Sequence, residues 1–93
     1  MNFYLVSYDL KEYERDYVDF FNLLNTLGKA LQVHRNAIIL ATEQETQAVY
    51  ENIREHAEFT DYWVITKLDK DFTGKSQNVD QINRFLRNHR FKD

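Results

Sequence analysis

The stretch Phe3 to Tyr8 reads FYLVSY. Phe3, Leu5 and Ser7 alternate with Tyr4, Val6 and Tyr8, and both sets are largely apolar. A strand covered on both faces has this pattern, so it predicts a strand in the middle of a sheet, ending at Asp9. Leu10 to Arg15 is polar and predicts a loop. The period then changes to that of a helix: Tyr17, Phe20, Phe21, Leu24 and Leu27 fall on one face. Asp16 suits its N-cap, with Asp19 three residues on near the positive end of the helix dipole. Gly28 suits its C-terminal stop.

Ala30 to His34 and Ala37 to Ala41 predict two further strands, with Arg35-Asn36 as a tight hairpin because Asn tolerates positive φ. The second, AIILA, is apolar on both faces and belongs in the middle of the sheet. Thr42 with Glu45 reads as a capping box for a helix from about Glu43 to Ala57, with Val49, Ile53 and Ala57 as its apolar stripe. Tyr62 to Leu68, YWVITKL, predicts a fourth strand. Asn78 with Gln81 suits the cap of a last helix. Val79, Ile82, Phe85, Leu86 and His89 line one side of it, with Arg84, Arg87 and Asn88 on the other.

These elements predict an α+β fold: a ferredoxin-like βαββαβ antiparallel sheet with its helices on one face, plus a C-terminal helix. The expected sheet order is fourth, first, third, second, because long crossovers place both helices on the same face. One domain spans 1–93, with the core over 1–68 and the last helix over 77–91. One sheet face is then left without a layer of helices. Alternation puts largely apolar residues of the last strand on either face, and an apolar face of that kind marks an interface. A homodimer packing sheet face on sheet face would bury it, with Tyr4, Tyr62, Trp63 and Val64 as its expected interface residues. The C-terminal helix is the alternative cover.

Composition narrows the classes. A chain of 93 residues supports one modest core, and 15% aromatics help to fill it. No apolar run reaches the ~20 residues of a membrane span. The first residues carry no basic flank or cleavage pattern of a signal peptide, so the expectation is a cytoplasmic protein without a membrane partner. Cysteine is absent, which excludes disulfides and thiolate metal sites. Residues 1–66 hold five Lys/Arg against 11 Asp/Glu, and residues 67–93 hold seven against four, so a net of −6 is followed by +3. That small basic tail argues against broad, non-specific nucleic-acid binding.

FYLVSYDL, a polar loop, DYVDFFNLLNTLG, a hairpin and AIILAT resemble the small CRISPR-associated Cas-two-like proteins. Their stand-alone SinR-like relatives show a YxxxYDL opening and a DYxxhxxxhxxLG helix, where h is apolar. VapD-type toxins share the fold. The resemblance covers roughly residues 1–68. It implies a homodimer and a metal-dependent endonuclease acting on RNA or DNA, in which Asp9 from each subunit holds Mg²⁺ near the dimer axis. One carboxylate per subunit suffices for an ion that keeps most of its waters, and the ion activates water for phosphodiester hydrolysis. Ser7 and Tyr8 would position a phosphate, and Lys11, Arg15 and Arg35 would supply positive charge to a nucleic acid. Leu10 to Arg15 holds two basic residues where nuclease members often carry an Arg-rich stretch. Some members are scaffolds, so the alternative is a non-catalytic dimeric adaptor or inhibitor binding a protein partner.

Asp9 also reads simply as a strand end bonding a turn amide. Asp69, Asp71, Thr73, Gly74, Asn78 and Asp80 partly match a calcium loop, but a solvated turn that caps the last helix suits them better. Lys75, Arg84, Arg87, His89, Arg90 and Lys92 read as phosphate contacts or as the solvated face of an amphipathic helix. His34, His56 and His89 lack zinc-ligand spacing. Tyr4, Tyr8, Tyr62 and Trp63 are candidates for base stacking on the bare sheet face, though core or interface roles suit them better.

Overall fold

The computed structural model describes residues 1–56, 61–69, 72 and 74–89. Among them the chain forms β1 (Asn2–Asp9), α1 (Tyr13–Leu27), β2 (Lys29–His34), β3 (Ala37–Thr42), α2 (Thr46–His56), β4 (Tyr62–Lys67) and α3 (Val79–Asn88). This is an α+β fold with one antiparallel four-stranded sheet, ordered β2-β3-β1-β4. Read from the other edge, the order is fourth, first, third, second. β1 and β3, the two most apolar strands, occupy the middle. Burial on both faces is what their sequences require: Ile38 to Thr42 is buried without interruption.

The two faces carry separate cores. Tyr4, Val6, Tyr8, Ile38 and Leu40 point to the first face, where Phe20 and Leu24 of α1 and Val49 and Ile53 of α2 close over them. Phe3, Val33, Ile39 and Ala41 point to the second face, where Ile82, Phe85 and Leu86 of α3 pack against them. The C-terminal helix therefore covers part of the face that lacks α1 and α2.

Several element starts differ from the sequence expectation. α1 begins at Tyr13, within the stretch that reads as a loop. Asp16 lies inside the first turn, not at the cap, and its carboxylate accepts the Glu12 amide from there (3.2 Å). That reach back satisfies a donor the helix leaves open, so the polar stretch can be helical. α2 begins at Thr46. Thr42 does not cap it: its hydroxyl donates to the Leu27 carbonyl oxygen (2.6 Å) and accepts the Gln44 amide (3.1 Å). Ala57, the expected end of α2, lies outside the described residues. Asn78 makes no side-chain cap for α3; its amide donates instead to the Ser76 hydroxyl (3.1 Å). Gly28 follows α1 in extended backbone, not in the left-handed region. Glycine is required there for space, because a Cβ would collide with the Ala41 carbonyl oxygen.

Candidate functional site

Period-two alternation decides which residues share a surface. Along β1 it sends Phe3, Leu5, Ser7 and Asp9 to the second face. Registered partners lie on the same side, so Val64 joins Ser7 and Tyr62 joins Asp9. α3 covers the Phe3 end of this face and leaves the Asp9 end open. Tyr62 and Val64 are 70% and 63% exposed, and Ser7, Asp9 and Thr66 are exposed beside them. This half-open surface is the candidate site: the large side chains of Tyr62 and Val64, the hydroxyls of Ser7 and Thr66, and one carboxylate at the rim.

The same alternation divides the residues expected to act together. Tyr4, Tyr8 and Trp63 point to the other face. Tyr4 is fully buried, and its hydroxyl donates to the Gln44 carbonyl oxygen (2.8 Å). Trp63 packs on Tyr50 with ring centroids 5.1 Å apart. Neither lies on the open surface with Tyr62 and Val64, so Tyr4 belongs to the core and Trp63 to the α2 contact. A stacking platform of four aromatics on the bare face is excluded for the same reason.

Tyr8 does not reach out to a phosphate. Its ring lies among Phe20 (5.0 Å) and Tyr17 (6.1 Å), and its hydroxyl donates to the Arg35 carbonyl oxygen (2.8 Å). Burial, reinforced by the neighbouring Tyr17 and Tyr13, pushes its pKa well above the ordinary tyrosine value.

The basic residues are turned to other work. Arg15 pairs with Asp16 (2.7 Å) and Glu12 (3.4 Å). The hydrogen bond from Arg15 holds the Asp16 carboxyl below the usual range. Arg35 lies over the Tyr13 ring (3.9 Å to the centroid) and pairs with Glu14 (3.4 Å). Lys11 is exposed, and its amide donates to the Asp61 carboxylate (2.8 Å), which ties the β1–α1 connection to the start of β4.

The Asp9 carboxylate makes no hydrogen bond or ion pair with the described residues. Among those residues, no three His, Asp or Glu side chains converge on a point where an ion could sit. A single chain thus offers Mg²⁺ one carboxylate, and the donor set becomes adequate only if a second Asp9 comes close. Asp71 and Thr73 of the calcium-like loop lie outside the described residues, and Asn78 and Asp80 are taken up in the start of α3. Arg90 and Lys92 of the basic tail also lie outside them. Arg84 and Arg87 are exposed on α3, while His89 packs on the Phe85 ring (4.6 Å).

Two grooves have no counterpart in the sequence reading. One, of about 460 Å³, runs between α1 and α2 and is lined by Asp16, Asp19, His56 and Asp61. The other, of about 640 Å³, lies along β2 and is lined by His34, Arg35, Lys75 and Asn78. Their residues are far apart in sequence and share no motif, so no spacing signal could have joined them. No described helix is long and apolar enough to cross a membrane. Comparison with protein-family models, curated proteins and solved structures found no match.

Proposed function

We propose that this protein is a small ferredoxin-like interaction module that works as a homodimer and binds through the open half of its second sheet face, without chemistry of its own. The observation that carries this reading is the exposure of Tyr62 and Val64 on a sheet face whose other half is already closed by α3. Apolar side chains displayed together on a strand gain by leaving water, and a second copy is the simplest surface that lets them do so. The engagement of Arg15 and Arg35 with acidic neighbours supports a protein partner over a polyanion. Sedimentation of the intact chain tests the reading. The wild type should form a concentration-dependent dimer, and Tyr62→Ser with Val64→Asp should remain monomeric with unchanged circular dichroism. A wild type that stays monomeric at high micromolar concentration would refute it.

A second reading keeps the Cas-two-like resemblance: a Mg²⁺-dependent nuclease with Asp9 as metal ligand. One observation favours it. Asp9 is exposed at the rim of the open surface, so a second copy closing face to face over that surface would bring two carboxylates toward one another. Calorimetric titration with Mg²⁺, together with RNA and DNA cleavage assays, separates the readings. The nuclease reading expects Asp9→Asn to abolish binding and cleavage alike. The interaction-module reading expects neither activity in the wild type.

A further inference from the structure

The two edges of the sheet are finished differently. On the β2 edge the register shifts between Gln32 and His34, and the Ser76 hydroxyl donates to the Val33 carbonyl oxygen (3.3 Å). A bulge and a side chain on the backbone both obstruct further pairing. β4 has neither device among the described residues.

The phase of the β4 ladder is set by the bond from the Leu68 amide to the Phe3 carbonyl oxygen (2.8 Å). On the far side of β1, the Tyr8 amide donates to the Asn36 carbonyl oxygen (3.1 Å), which is consistent with that phase. Leu5 with Thr66, Ser7 with Val64 and Asp9 with Tyr62 are then the bonded pairs. Antiparallel alternation turns the N–H and C=O groups of Trp63, Ile65 and Lys67 outward. No backbone hydrogen bond from another described residue reaches these groups. The strand itself, YWVITK, is rich in β-branched and aromatic residues, lacks proline, and carries its one charge at the end.

We propose that β4 pairs antiparallel with β4 of a second copy, about a twofold axis at Ile65, to form one continuous sheet. The inference rests on the homodimer of the reading above but moves its contact from the open sheet face to the β4 edge. Centring on Ile65 uses every outward group: Ile65 faces the partner's Ile65, and Trp63 faces the partner's Lys67. On the open face, Val64 faces the partner's Thr66. The register sets the two lysines at opposite ends, opposite aromatic rings, so no like charges meet. A register shifted by two residues leaves an outward N–H and C=O unpaired on each strand. The open surfaces of the two copies become one strip, still accessible from the same side. The two Asp9 side chains are carried more than about 20 Å apart by strand spacing and rise, too far to share an ion.

Cross-linking tests the register, and the absence of native cysteine makes it unambiguous. Full-length Val64→Cys and Thr66→Cys proteins are mixed under mild oxidation. The expected result is a disulfide heterodimer in the mixture, at least about tenfold more abundant than homodimers in either protein alone, since cross-strand neighbours satisfy disulfide geometry. Lys67→Pro removes an outward N–H at a position that does not bond to β1, and should weaken sedimenting dimers at least about tenfold. A wild type that dimerises, with no selective heterodimer and an indifferent Lys67→Pro, would overturn the edge pairing and leave the dimer reading standing. A wild type that is monomeric throughout would overturn both.

Discussion

The sheet separates two cores built to different standards. On the first face, ten buried side chains form the core, four of them supplied by α1 and α2 themselves, and several of the ten have no solvent contact. On the second, one short helix rests on four, and α3 has no buried residue of its own. α3 segregates apolar and polar residues cleanly, yet a helix of 10 residues is not stable in water without the surface beneath it. No ion pair links Arg84 or Arg87 to another described residue. The contrast teaches that stability and availability are divided between the faces: one specifies the fold, and the other is lightly covered and partly open.

The largest expected effect tests that division directly. Leu24→Ala in the first core should cost about 2–5 kcal/mol, whereas Ile82→Ala under α3 should cost roughly 1 kcal/mol, both read from urea denaturation. Equal costs would abolish the distinction between the cores. Gly28→Ala comes next. The added methyl meets the Ala41 carbonyl oxygen, and the shift needed to relieve it should cost about 1–3 kcal/mol. A neutral substitution would mean that the helix–strand junction has slack.

Alkaline pH offers a third probe, confined to the first face. Burial keeps the proton on Tyr8, while the unfolded chain releases it near the ordinary value of 10.0. The folded state then holds more protons than the unfolded one, so stability is full below pH 10 and falls as the pH rises above it. Tyr8→Phe should reduce that fall, and Tyr17, also raised by burial, should account for part of what remains. Denaturation midpoints between pH 8 and 11 measure the difference; identical slopes in both proteins would place the alkaline sensitivity elsewhere. The smallest effect belongs to the open surface. Asp9→Asn should change stability by less than about 0.5 kcal/mol, since its carboxylate has no partner among the described residues. A larger loss would show that Asp9 terminates its strand through a bond of structural weight.

Periodicity made most of this architecture legible. Six consecutive residues such as Ala37 to Thr42 admit few readings, and the central places of β1 and β3 followed from apolarity on both faces. The helix starts were not legible in the same way. Asp16 and Thr42 have the chemistry of caps, but their oxygens are used by the Glu12 amide and the Leu27 carbonyl, choices that depend on contacts no local rule contains. The site was half legible. Tyr62 and Val64 follow from alternation, while Tyr4 and Trp63 needed the register to show that they face the helices. The unequal sheet edges were invisible because Ser76 and Val33 are 43 positions apart.

One junction bears on the order in which the molecule assembles. Gly28 alone separates α1 from β2, the Asn25 side chain accepts the Ala30 amide (3.0 Å), and Thr42 returns the hairpin to the Leu27 carbonyl (2.6 Å). These links span short stretches of chain, so closing them costs little entropy compared with bringing β4 back to β1. α1 and the β2–β3 hairpin should therefore form the folding nucleus, with β4 and then α3 added to a template already standing. Substitutions at Leu24 and Ile38 should slow refolding, while those at Ile82 should mainly speed unfolding. The open half of the second face is, in this order of events, the last part of the protein to acquire its shape.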